Sequence, residues 1–281
     1  MNIQVFPQQF PDRERAIALH CSGAGAGQWR CLGETLGPDY ELLTPEHYGC
    51  ESMGLWTGEH AFTLADEAAR SFALIDESEG KVHLIGHSYG GGVALNVAIN
   101  RPDRIASMAV YEPSAFHLLR QMGEAGAKAF AEISAVARRL SQCIINGDYQ
   151  AGVAEFVDYW SNAGSWNEMR PAAQKALMRW APKGPLDFHA LFQEPTVAEA
   201  YGALKFPVLI IRGEHAPLPT RVVSERLLEL LPRGRLKIIA GAGHMGPLTH
   251  SLTVSEVIAK HIAAAKPERR TKPHMMMWLT N

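Results

Sequence analysis

Along the first 110 positions, short apolar runs alternate with stretches whose apolar residues recur at three- and four-residue spacing. The runs Ala16–Leu19, Tyr40–Thr44, Lys81–Ile85 and Ile105–Tyr111 predict strands. Periodic stretches predict helices from Gln28 onward, over 64–78 and over 91–100. Thr63 with Asp66 three residues on has capping-box spacing for the second helix, Gly80 marks its exit, and Pro102 closes the third. Strand–helix alternation of this kind predicts a mostly parallel sheet covered by helices on its faces.

From Pro113 to about Leu204 the strand pattern vanishes. Four helical patterns replace it, over 124–146, 148–163, 168–180 and 187–201, with breaks at Asn146-Gly147, Gly164 and Pro182-Lys183-Gly184-Pro185. Strand pattern returns at Phe206–Arg212, followed by a helix over 220–231, a strand at Leu236–Ala240 and a helix over 253–264. The expected organisation is an α/β core built from 1–112 and 205–264, an all-helical cap inserted as 113–204, and a tail, 265–281, that lacks periodicity and is read as disordered.

Composition narrows the class. A chain of 281 residues sits at the upper edge of what one core supports, which fits a sheet domain carrying an insertion. With 27 Lys+Arg against 29 Asp+Glu, the net charge of −2 supplies no basic field for nucleic acid. At 47% hydrophobic and 20% charged residues, the chain has enough apolar material to fold. The four cysteines, Cys21, Cys31, Cys50 and Cys143, form no CxxC pair and no short-range framework, so a reducing compartment is expected. Residues 1–16 lack the basic-then-apolar pattern of a leader, and the longest apolar runs are strand-sized. These features predict a soluble, cytoplasmic protein whose partner is a small-molecule substrate, not nucleic acid or membrane; a homodimer is compatible with them.

The sharpest chemical feature is Gly86-His87-Ser88-Tyr89-Gly90, directly after one predicted strand and directly before a helix. Glycines two residues to either side of Ser88 remove side chains that would collide in a sharp strand–turn–helix corner. Such a corner exposes a serine hydroxyl at the sheet edge, and the following helix N-terminus aims backbone N–H groups at any anion formed there.

On these residues the chain resembles the α/β-hydrolase fold family, and the likeness covers almost all of 15–264. The resemblance implies that Ser88 is the nucleophile of the family's elbow. The stretch LHCSGAGAGQW is similar to the family's HGxx loop, with His20 in register but Cys21 where glycine is usual. It implies an oxyanion hole from the backbone N–H groups of Ser22 and Tyr89. His244, in AGAGHMGP after the last predicted strand, lies where the family places its general base. Serine needs such a base because its hydroxyl is almost wholly protonated at neutral pH.

The acid departs from the common pattern. Most relatives carry an aspartate three residues after the glycine that ends a late strand, and here that position is Ala216. A minority place the acid one strand earlier, where this chain has Glu112 followed by Pro113. Glu112 is the favoured acid and Glu214 the alternative; a site without a strong acid is the third option.

His20, Phe116, His117 and Trp160 are the candidate pocket residues, although aromatic residues at helical spacing more often pack a core. The glycines at 23–27 do not complete a GxGxxG fingerprint, and the His20, Cys21 and Cys31 grouping lacks zinc-ligand spacing, so neither a cofactor nor a metal is expected. The implied function is a cofactor-independent serine hydrolase acting on a small, largely apolar carboxylic ester. Lactone hydrolysis, carbon–carbon bond hydrolysis and acyl transfer use the same residues. A non-catalytic ligand-binding member of the family is the rival, favoured by Ala216.

Overall fold

The computed structural model describes residues 13–265. The expectations of a disordered tail and of no leader fall wholly or mostly outside them.

Six strands form one parallel sheet: β1 (Glu14–Leu19), β2 (Tyr40–Leu43), β3 (Val82–His87), β4 (Ile105–Tyr111), β5 (Val208–Gly213) and β6 (Gly234–Ile239). Their order across the sheet is β2-β1-β3-β4-β5-β6, with every neighbouring pair parallel. Helices α1 (Arg30–Leu36), α2 (Leu64–Asp76) and α3 (Tyr89–Asn100) connect the first strands. Between β4 and β5 come α4 (Gly123–Ile145), α5 (Tyr149–Trp160), α6 (Ser165–Glu168), α7 (Pro171–Trp180) and α8 (Gly184–Phe192), with short 3-10 turns and no strand. After β5 come α9 (Leu218–Leu230), α10 (Gly246–Thr249) and α11 (Ser251–Ala264).

Period-two alternation sorts the strand side chains onto two faces. Ile17, Leu84, Met108, Val110 and Ile210 enter one apolar cluster, while Ala18, Ile85, Ala109 and Ile211 enter a second with α1 and α11. The first cluster continues without a break into Trp160, Trp180, Phe188 and Leu191 of the helical block, so that block shares a core with the sheet. β3 is buried at every position, as expected of a central parallel strand covered on both faces.

One sequence expectation is met with a short gap and one needs correction. Pro182-Lys183-Gly184-Pro185 separates α7 from α8 as expected, but the gap is only a 3-10 turn, Ala181–Lys183, and α8 starts at Gly184, with Pro185 in its first turn where no intrahelical N–H is needed. The helix expected over 187–201 is instead α8, and it ends at Phe192. Pro195 disfavours helical geometry at Glu194, and Ala198–Ala203 forms a separate 3-10 segment.

The order of the strands fixes where a site can form. From β1 the chain steps outward to β2 and then returns past β1 to β3, so the loops leaving the C-terminal ends of β1 and β3 diverge and leave a crevice. Ser22 follows β1, and Ser88 follows β3.

Candidate active site

Ser88 sits at φ 54° and ψ −118°, outside the regions favoured by a residue with a side chain. Strain of this kind costs about 1–3 kcal/mol and persists only where its surroundings enforce it. The surroundings are tight backbone. A Cβ on Gly86 would stand 2.5 Å from the Gly90 carbonyl oxygen, and one on Gly90 would stand 2.4 Å from that of His20. The Ser88 N–H donates to the Tyr111 carbonyl at 3.0 Å, and its carbonyl accepts from Ser114 N–H at 3.0 Å and Gly92 N–H at 3.1 Å. Tyr89 begins α3, so its N–H has no intrahelical acceptor.

His244 reaches Ser88 from the loop between β6 and α10, with its Nε2 2.9 Å from Ser88 Oγ. That loop is braced by its neighbours. His87 Nε2 donates to the His244 carbonyl at 2.9 Å, and Tyr111 Oη donates to the Gly243 carbonyl at 2.7 Å. Gly246 makes the second contact sterically feasible, because a Cβ there would fall 2.0 Å from the Tyr111 hydroxyl oxygen. His87 is fully buried, and desolvation holds its imidazole well below the usual histidine range, so it is a neutral donor.

On its other side, His244 Nδ1 lies 2.7 Å from Glu112 Oε2. Glu112 is wholly buried and adopts φ 42° just past the end of β4. Among the described residues no lysine or arginine pairs with it. Instead Gly213 N–H donates to Oε1 at 2.9 Å, and Thr220 Oγ1 donates to Oε2 at 2.7 Å. An ionised carboxylate only accepts, so the Glu112 contact assigns a proton to His244 Nδ1 and leaves Nε2 as the acceptor for the Ser88 hydroxyl. Trp160 of α5 lies over His244 with ring centroids 4.1 Å apart and planes 32° apart. An indole face in that position attracts an imidazolium more than a neutral imidazole.

Glu214, the alternative acid, accepts from Gly241 N–H at 2.8 Å at an exposed position. His20 borders the large cavity beside Ser88 but is committed to the backbone: Nδ1 lies 2.8 Å from the Cys21 carbonyl, and Nε2 accepts from His47 N–H at 3.2 Å. Burial, with His47 beside it, pushes the His20 pKa down to about 3. Phe116 and Trp160 border space at Ser88. The pocket expectation for His117 is corrected: it lines neither cavity at Ser88, and its Nε2 lies 3.2 Å from the Tyr201 hydroxyl against which the ring stacks. A position two residues into a 3-10 turn aims this side chain into the core, and burial drops its pKa to about 4.

Sequence reasoning missed a second charged cluster, two of whose members, Lys183 and Asp187, line the same cavity as Ser88. Lys183, with no exposed side-chain surface, donates from Nζ to Glu67 Oε2 at 2.6 Å, to Tyr89 Oη at 3.2 Å and to Asp187 Oδ1. Tyr89 Oη donates to Glu67 at 2.8 Å, while Asp187 Oδ2 accepts from Ser22 Oγ at 2.9 Å and Trp180 Nε1 at 2.8 Å. Burial pulls the Asp187 carboxyl above its usual range, whereas Glu67 ends well below its own because His47 and Lys183 outweigh the burial penalty. The cluster joins the helical block to the side chains of Ser22 and Tyr89. Among the described residues no group of His, Cys, Asp and Glu is arranged to hold a metal ion.

A parallel sheet with a strained serine after its central strand, facing a histidine and a buried carboxylate, is a hydrolase architecture. Residues 16–257 match the alpha/beta hydrolase family, and the chain belongs to it. It is 26% identical over 197 residues to the 2-(acetamidomethylene)succinate hydrolase of Mesorhizobium japonicum, covering 67% of this chain and 66% of that protein. It is 23% identical over 249 residues to a 2-hydroxy-6-oxo-6-phenylhexa-2,4-dienoate hydrolase of Burkholderia cepacia, covering 85% and 84% of the two chains. The crystal structure of MGS-M2, an alpha/beta hydrolase enzyme from a deep-sea metagenome library of the Medee basin, superposes with a TM-score of 0.75 over 92% of each chain at 15% identity. Among the described residues no helix is long and apolar enough to cross a membrane.

Proposed function

We propose that the chain is a cofactor-independent serine hydrolase that cleaves a carboxylic ester through an acyl-enzyme. The observation that carries this reading is the continuous relay of 2.9 Å from Ser88 Oγ to His244 Nε2 and 2.7 Å from His244 Nδ1 to Glu112. Ser88 attacks the acyl carbon while His244 takes its proton. Glu112 holds the imidazole in the tautomer that accepts from serine and stabilises the imidazolium once formed. The oxyanion meets the backbone N–H groups of Ser22 and Tyr89, each worth about 3 kcal/mol of transition-state stabilisation. His244 then gives its proton to the leaving alkoxide, and water activated by the same imidazole releases the acid.

The cavity beside Ser88, about 710 Å³ and walled in part by Phe156, Leu177, Trp180 and Met245, suits a small, largely apolar substrate. The four free thiols suit a reducing, cytoplasmic setting. Ala216 was the support for a non-catalytic reading, and Glu112 supplies the carboxylate that position lacks. A carbon–carbon bond hydrolase is the second reading, favoured by the similarity to a hydrolase named for a phenylhexadienoate substrate.

A fluorophosphonate probe tests the nucleophile directly. It should label the wild-type protein at Ser88 and leave Ser88→Ala unlabelled. Absence of labelling on folded wild-type protein would sink the serine-hydrolase reading. Comparison of p-nitrophenyl esters, lactones and vinylogous diketones then separates ester from carbon–carbon cleavage.

A further inference from the structure

Ser88 stands where two cavities of very different size meet. The large one, about 710 Å³, is bordered by His244, Met245 and Leu248. The small one, about 20 Å³, has Ser114, Phe116, Phe188 and Leu191 as lining of its own, and His244 does not border it. Ser22, Ser88, Tyr89, Phe156, Trp160 and Asp187 line both.

We propose that the small cavity is the acyl pocket and the large one receives the leaving group. The preferred substrate is then a short-chain acyl ester, of acetyl size, on a bulky and largely apolar alcohol. The inference rests on the serine-hydrolase reading above.

The argument is geometric. Once Ser88 Oγ has added to the acyl carbon, three substituents remain to be placed. The oxyanion takes the side of the Ser22 and Tyr89 amides. The leaving oxygen must come within hydrogen-bond reach of His244 Nε2, because that nitrogen delivers the proton as the carbon–oxygen bond breaks. His244 opens onto the large cavity alone, so the leaving group extends there. The acyl substituent is left with the remaining space, which Ser114, Phe116, Phe188 and Leu191 border and His244 does not.

A cavity needs about 10–15 Å³ to admit one water-sized sphere, so about 20 Å³ admits a methyl group and not a chain. Its walls have little room to yield. Phe116, Leu191 and Phe188 are 1%, 4% and 6% exposed. A Cβ on Gly92 would stand 2.8 Å from Leu191 Cδ2, so the leucine already fills the space that glycine leaves. Phe188 is backed by Phe192 at 5.8 Å and meets Phe156 edge-on at 6.2 Å. Lengthening the acyl chain therefore forces packed side chains from their places.

The steps balance without any further reagent. The Oγ–acyl bond forms as the leaving carbon–oxygen bond breaks, and the serine proton passes through His244 to the alkoxide. Water then attacks the acyl-enzyme, gives its proton to His244 and thence to Ser88 Oγ, and frees the short carboxylic acid.

The test uses the full chain with p-nitrophenyl acetate, butyrate and octanoate, so that only the acyl part varies. The kcat/KM for acetate should exceed that for butyrate by roughly ten- to a hundredfold, with octanoate lower still. Phe188→Ala and Leu191→Ala open the small cavity and should each raise the butyrate-to-acetate ratio by about tenfold or more. Wild-type preference for butyrate or octanoate, or ratios unmoved in both variants, overturns the assignment while labelling by fluorophosphonate keeps the hydrolase reading intact. Loss of labelling overturns both. Should either variant fail to fold, the wild-type series decides.

Discussion

Two buried carboxylate clusters lie near Ser88, and they are held by different means. Among the described residues Glu112 has no lysine or arginine partner and rests on neutral donors, the Gly213 amide and the Thr220 hydroxyl, with His244 as its third contact. Glu67 and Asp187 share one buried ammonium, Lys183, which lies between them. A carboxylate compensated only by dipoles keeps its attraction for a proton-bearing imidazole. Glu67 also faces an imidazole, His47, whose Nδ1 lies 3.5 Å from Oε1, but the permanent charge of Lys183 fixes that side of the cluster whatever the imidazole carries. The first arrangement therefore suits a relay that must gain charge during each turnover. The second suits a tether between the helical block and the sheet that stays unchanged through it.

The sharpest way to separate relay from tether is to cut each one. His244→Ala should lower ester turnover by about 10⁶-fold, since loss of one member disables the whole relay, while the thermal transition stays near that of wild type. Lys183→Met should do the reverse in kind. It leaves two buried carboxylates facing each other and should destabilise the fold by about 3–5 kcal/mol, read as a lower melting temperature in calorimetry. A Lys183→Met protein that melts like wild type would contradict the tether.

Acid should act on the fold through buried imidazoles. His20 and His117, with pKa values near 3 and 4, and His87, also pushed down by burial, stay neutral in the folded chain while their unfolded counterparts protonate below about pH 6.5. The unfolded state then binds more protons, so stability falls as pH drops from about 6.5 toward 4, by about 1.4 kcal/mol per pH unit for each such group. Melting curves across that range should show the decline, and Asp187, whose pKa is raised by burial, acts in the opposite sense. The smallest effect belongs to Thr220→Val, which removes one donor from Glu112 and should cost about tenfold in turnover.

The relay was legible in sequence because each member carries a local signature. Ser88 has its flanking glycines, His244 sits among loop glycines after a strand, and Glu112 ends a strand before proline. Such signals need no knowledge of distant contacts. The Lys183 cluster has none. Lys183 and Glu67 stand 116 positions apart, and the lysine lies in a Pro-Lys-Gly-Pro string that reads as a surface break. Only the packing of the helical block onto the sheet buries it. His117 misled for a related reason: its position just past a strand is shared by pocket residues, but the 3-10 turn at Phe116–Gln121 points it at Tyr201. Gly213 and Thr220, the donors to Glu112, likewise become visible only once β5 and α9 are folded against β4.

The most direct test of the relay compares Glu112→Gln with Glu214→Gln on p-nitrophenyl acetate. A glutamine amide facing His244 Nδ1 presents a donor to a donor and favours the wrong tautomer. Turnover by Glu112→Gln should therefore fall by about 10⁴-fold, while Glu214→Gln stays within about tenfold of wild type. The opposite ranking would place the working acid at Glu214 and contradict the account.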